Sequence, residues 1–256
     1  MISTTEKTVT LTIYLSIFMQ ILTGILPIPA LFVKTTEDNQ VLKDVLKVET
    51  LVQFVEGFFY IMVVFFAIQI SSLATYRYFD WVITTPFMLL STMIFMEWSN
   101  HKLMNSNEVK DKNEDKNDNK NEDKNDNNMI RFKDTVMKYK KLFITIGLLN
   151  FLMLFFGFLG ETKQMPNILA VILGFIPFVY MFYLMYDNFV KETPTRKTTK
   201  ENKILFNFMS FIWSLYGVAA FFPTNPKNVM YNFLDIIAKN FYGLFLSYKV
   251  YKVRIK

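Results

Sequence analysis

Seven stretches of mostly apolar residues, at about 9–33, 48–70, 73–98, 142–159, 166–186, 204–222 and 229–250, account for most of the chain. At about 1.5 Å of rise per residue, each can cross roughly 30 Å of hydrocarbon as a helix. The expectation is an all-α membrane protein, a seven-transmembrane-helix bundle forming one domain over residues 1–256. The first stretch lacks a basic start and exceeds a signal core, so it is expected to be retained as a span. Seven crossings put the termini on opposite sides, and the basic residues say which. Lys7, Lys163 and Lys227 fall on one side and Arg77 and Lys239 within spans, while the rest of the 28 Lys and Arg fall on the other side. Because basic residues accumulate on the cytoplasmic side, the N-terminus is expected outside and the C-terminus in the cytoplasm.

Between the third and fourth stretches, residues 105–128 repeat Asn-Glu-Asp-Lys and Asn-Asp-Asn-Lys with hardly an apolar side chain. Such a segment cannot bury enough surface to offset its ordering entropy, and a disordered cytoplasmic loop is expected. It lacks the Gly and terminal Glu of an EF-hand, and its interleaved Lys would repel a calcium ion.

Chemistry by the usual catalytic residues has little material. There is no Cys, and the single His101 sits beside the charged loop. No metal site, disulfide or enzymatic reaction is therefore expected. The net charge of +6 lies in loops between apolar stretches, the pattern of membrane topology, so the lipid bilayer is the expected partner and nucleic acid is not.

Against this apolar background the charged residues inside spans stand out. Asp235 and Lys239 are four residues apart and lie on one helical face. A buried ammonium needs a partner, and an ion pair of purely structural use would also satisfy the spacing. A second stretch, Arg77-Tyr78-Phe79-Asp80-Trp81-Val82-Ile83-Thr84-Thr85-Pro86, places another Arg and Asp in another span. In the second span Glu49, Gln53 and Glu56 share one stripe, with Glu49 near the cytoplasmic mouth and Glu56 about two turns deeper. Glu49 could equally be an interfacial residue of the helix start.

Together these residues resemble the microbial (type 1) rhodopsins. The resemblance covers the whole span pattern and is specific in Arg77-Tyr-x-Asp80-Trp81-x-x-Thr84-Thr85-Pro86, in Trp213-x-x-Tyr216 and in Asp235-x-x-x-Lys239. It implies a photoreceptor that carries all-trans retinal as a protonated Schiff base on Lys239, with Asp80 and Asp235 as counter-ions. Nearby carboxylates favour such a buried cation, and Arg77 would balance the second negative charge. Thr84 is positioned to hydrogen-bond the Asp80 carboxylate, Tyr216 to donate to Asp235, and Trp81 and Trp213 to flank a polyene, although either Trp could simply be packing. Thr85 is expected near the retinal as well. The sequence departs from the family at Gly217, where a Pro is usual, at Ala220, where many relatives carry a Trp, and at Asn150, where Asp is frequent. The last leaves a Thr85 to Asn150 hydrogen bond as an expectation.

Function is read from what the spans carry and lack. Ser91, eleven residues after Asp80, stands where pumping relatives have a carboxylate, and 222–230 holds no Asp or Glu to release a proton. Glu49, Gln53 and Glu56, with Ser16 on the first span and Asn232 and Asn240 on the seventh, could line a polar path for monovalent cations or protons. That combination resembles the channelrhodopsin-like viral rhodopsins of the first group, which implies a light-gated cation channel and, for a viral source, a host-cell membrane. An outward proton pump and a sensory rhodopsin remain alternatives, and assembly into homo-oligomers is compatible with such a bundle.

Overall fold

The structure, a computed structural model, describes residues 4–114 and 129–255. Its long helices are α1 (Thr4–Ile25), α2 (Gln40–Phe65), α3 (Ile70–Glu114), α4 (Lys140–Glu161), α5 (Asn167–Met185), α6 (Lys200–Ala219), α7 (Thr224–Asp235) and α8 (Phe241–Lys252). A π-helical turn, Ile236–Asn240, joins α7 to α8 without a break, so the two form one seventh span. Among the described residues there is no strand, only isolated bridges. Five of the spans, from α1 through α5, are long and apolar enough to cross a membrane by composition alone. The sixth and seventh are more polar because they face the bundle interior with Asn202, Asn228, Asn232, Asp235, Lys239 and Asn240, all buried.

The helices close into a seven-membered bundle in which α1 packs on α2 and α7, and α3 on α2, α4 and α7. Large apolar side chains such as Leu11, Phe18, Phe58, Ile168 and Phe211 point outward, as they should where the surrounding medium is hydrocarbon. Inside, an apolar cluster of Met88, Met93, Phe178, Met181 and Phe182 fills one half, and polar stripes fill the other. Ile255 N–H donates to the Lys34 carbonyl at 2.9 Å, so the C-terminus lies against the α1 to α2 loop, at the end opposite the start of α1.

Two sequence expectations shift. The first span breaks at Leu26-Pro27 before a short helix, Ile28–Leu31, because Pro27 has no N–H to give to the ladder. The third helix runs ten residues into the stretch expected to be a loop, from 105 to Glu114. Residues 115–128, the rest of that stretch, lie outside the described residues.

Candidate functional site

Lys239 sits inside the π turn, a widened turn that recurs at functional sites in helices. Its ammonium, 1% exposed with its residue, is 2.9 Å from Asp80 Oδ2 on α3, 3.1 Å from Glu56 Oε1 on α2 and 3.7 Å from Asp235 Oδ1 one turn before it. Four elements thus converge on one nitrogen. Glu56 makes an ion contact there at 3.1 Å.

The two aspartates are held differently. Asp235 accepts from Arg77 Nη1 at 2.6 Å, Tyr60 Oη at 2.9 Å, Tyr216 Oη at 2.9 Å and Trp81 Nε1 at 3.2 Å. Asp80 accepts from Lys239 alone, and its Oδ1 has no partner among the described residues. One carboxylate is clamped by charge-assisted bonds, and the other keeps an oxygen free. Arg77, wholly buried, also donates to Tyr60 Oη at 2.8 Å and, through a short contact, to Asn232 Oδ1. Arg77 therefore sits on Asp235, and Tyr60, absent from the sequence motifs, ties it in place.

Two expectations are corrected. Thr84 does not reach the Asp80 carboxylate: its hydroxyl donates to the Asp80 backbone carbonyl at 3.0 Å, the local bond that a Thr within a helix makes when no better acceptor lies in reach. Glu56 does not stand apart from the lysine in a separate pathway but belongs to its carboxylate shell. Ser91 itself stands without a carboxylate, as read from the sequence, but Glu49 reaches across from α2 to within 3.1 Å of its hydroxyl, which also has the Met88 carbonyl at 2.9 Å. The bond between Asn150 and Thr85 is present, Nδ2 donating to Oγ1 at 2.8 Å, while the Thr85 hydroxyl donates to the Trp81 carbonyl.

From Lys239 an apolar cavity of about 780 Å³ of empty space, mouth included, extends between α3, α4, α5 and α6. Trp81, Trp213, Tyr216, Thr85, Met88 and Phe178 line it. This apolar lining, with the amine at one end, suits an elongated apolar ligand with one reactive end. Gly217 is explained here: a Cβ at that position would collide with the Phe175 ring, which shares the cavity wall.

Beside the cavity, three polar stripes face each other. Thr12, Ser16, Gln20 and Thr23 run along α1, Glu49, Gln53, Glu56 and Tyr60 along α2, and Asn232, Asp235, Lys239 and Asn240 along the seventh span, all buried. Bonds join them: Asn232 Nδ2 donates to Thr12 Oγ1 at 2.7 Å, Ser16 lies 3.5 Å from the Asn232 carbonyl, and Thr23 Oγ1 lies 3.2 Å from Gln53 Oε1. Of the α1 stripe, Ser16 alone is among the residues predicted from sequence. The spacing of four, four and three residues is a readable signal for the rest.

Comparison with known proteins agrees with this geometry. The family model described as "Bacteriorhodopsin-like protein" matches residues 9–253. A comparison with curated protein sequences gives no match. Among solved structures, the viral rhodopsin OLPVRII superposes with a TM-score of 0.72 at 24% identity, covering 96% of this chain and 99% of that one. Exiguobacterium sibiricum rhodopsin gives 0.68 at 13%, covering 98% of each. The proton pumping rhodopsin AR2 of the marine alga Acetabularia acetabulum gives 0.65 at 17%, covering 96% of each. The fold is common to all three, and the match to the family model extends over nearly the whole length, so this chain belongs to the bacteriorhodopsin-like family, the microbial rhodopsins.

Proposed function

We propose that the protein is a photoreceptor that binds all-trans retinal at Lys239 and, on illumination, opens a passive path for monovalent cations or protons. The observation that carries the channel reading is the set of three polar stripes facing one another beside Lys239 and running toward both ends of the bundle. Membranes tolerate so much buried polarity where it lines a functional path. When bound, retinal supplies a light-absorbing polyene whose isomerisation displaces the nitrogen it shares with Lys239.

The residues have separable parts in this reading. Asp80, 2.9 Å from Lys239 Nζ and with an oxygen free of partners among the described residues, is placed to take a proton from that nitrogen. Asp235 is held in place by four donors. Glu56 is a third carboxylate against two cations, Lys239 and Arg77, so the cluster carries excess negative charge unless it binds a proton. On the outer side, Thr12, Asn232, Arg77 and Tyr60 are bonded across four elements, which closes the path at rest. Asp235 touches both Arg77 and the lysine, so displacing Nζ loosens that closure.

Two experiments follow. In voltage-clamped cells the photocurrent is expected to change sign with voltage, and the reversal should move by about 59 mV per tenfold change of a single permeant monovalent ion. An outward current at every voltage establishes the pump, a second reading that the Glu49 to Ser91 hydrogen bond favours, since it brings a carboxylate to the cytoplasmic half of α3. A coloured, photocycling protein with no current points to a sensor. In the spectrum, Asp80→Asn is expected to move absorption to the red, because less negative charge then stabilises the ground-state cation. Glu56→Gln, whose carboxylate is also within 3.1 Å, should shift it in the same direction. A Glu56→Gln protein of unchanged colour would remove Glu56 from the counter-ion set.

A further inference from the structure

The polar seam is bonded unevenly along its length. Outward of Lys239 its members are joined to one another, Thr12 to Asn232, Asn232 to Arg77, Arg77 to Tyr60 and Asp235, with only Arg77 Nε among them lacking a partner among the described residues. Toward the cytoplasm the matching fails. Gln20 is 2% exposed, and neither its Oε1 nor its Nε2 has a partner among the described residues. The same holds for Gln53 Nε2, for both amide atoms of Asn240 and for Glu49 Oε1. Thr23 has one hydroxyl proton and two acceptors in reach, the Met19 carbonyl at 2.7 Å and Gln53 Oε1 at 3.2 Å, so when it serves the nearer carbonyl Gln53 Oε1 is left without a donor.

Four buried side chains on α1, α2 and the seventh span with unmatched amide or carboxylate atoms would be a heavy penalty in a dry membrane interior. The same groups suit water, which needs two to four polar partners. Glycines also keep bulk away from the place. A Cβ at Gly57 would lie 3.6 Å from Gln20 Cβ, and one at Gly243 would lie 3.4 Å from Gln53 Nε2, so α2 and α8 present no side chain at these two contacts.

We propose that Gln20 holds water in a hydrated file leading from the Lys239 end of the bundle to Glu49 and the cytoplasm, and that a crossing cation exchanges hydration for the Gln20 amide oxygen there. The part about cations rests on the passive-path reading above; the water file stands without it.

The test is Gln20→Met, which keeps length and helix compatibility and removes both amide atoms. Light-minus-dark infrared spectra of the pigment are compared in ordinary and ¹⁸O-labelled water. The wild type should show isotope-shifted water bands, at least one of which the variant loses. Return of the proton to the Lys239 nitrogen should slow roughly tenfold, the factor that one lost hydrogen bond is worth. In retinal-free protein the melting temperature should not rise, because a hydrated amide carries no dry-burial penalty to relieve. Retention of every band, or a raised melting temperature, overturns the proposal. If Gln20→Met does not fold, Thr23→Val supplies the same spectra, with the same two outcomes. The voltage experiment on the wild type separates the readings. A reversing current with unaltered bands in the variant removes the file and keeps the channel, and lost bands with a one-signed current do the opposite.

Discussion

Lys239→Ala is expected to stay colourless when all-trans retinal is added, whereas the wild type should acquire a visible absorption band. The amine is the nucleophile placed at the polar end of the apolar cavity, and among the described residues no other lysine lines that cavity. Removing it also leaves Asp80 and Glu56 without the cation they face at 2.9 and 3.1 Å, so the alanine variant alone could fail for lack of stability. Lys239→Arg separates the two effects. Its guanidinium keeps the positive charge against the carboxylates yet stays protonated and cannot condense with an aldehyde under ordinary conditions. A folded, colourless Lys239→Arg is the expected result, and a visible band in either variant would move the attachment site elsewhere.

Arg77→Leu is expected to lower stability by about 3–5 kcal/mol, the usual consequence of leaving a buried charge without its partner. Arg77 and Asp235 meet at 2.6 Å, at 0% and 1% side-chain exposure. Tyr60 and Asn232 lose a donor in the same substitution. The double variant Arg77→Leu/Asp235→Asn should recover part of that loss, because the stranded carboxylate is gone, and a double-mutant cycle on denaturation would read the coupling. A loss below about 1 kcal/mol would mean that water reaches the pair and screens it, as at a surface.

Much of this protein is legible in one dimension. Seven apolar runs, the bias of Lys and Arg and the spacing of Asp235 from Lys239 follow from hydrocarbon thickness and the helical repeat, which are the same for every membrane-spanning helix. Arg77, Asp80, Trp81 and Tyr216 are readable through the resemblance to a known family, since a motif within one helix keeps its residues together in the linear order. Thr12, Gln20 and Thr23 are equally readable from their spacing, but neutral side chains inside an apolar run draw less notice than charges.

What the linear order could not decide is how each helix is rotated against its neighbours. Glu49 and Glu56 are visibly on one stripe, yet nothing in α2 says that Glu56 meets the ammonium of Lys239 while Glu49 meets Ser91. Nor does it say that Tyr60 bridges Arg77 and Asp235. Thr84 shows the reverse: a side chain well spaced for the Asp80 carboxylate turned to the backbone instead. Periodicity fixes which residues of a helix share a face, whereas contacts between helices, whether 17 residues apart in sequence as for Tyr60 and Arg77 or 175 as for Tyr60 and Asp235, depend on rotation and depth in the bundle. Packing and the pairing of buried charges set those, and they exist only once the seven helices are together.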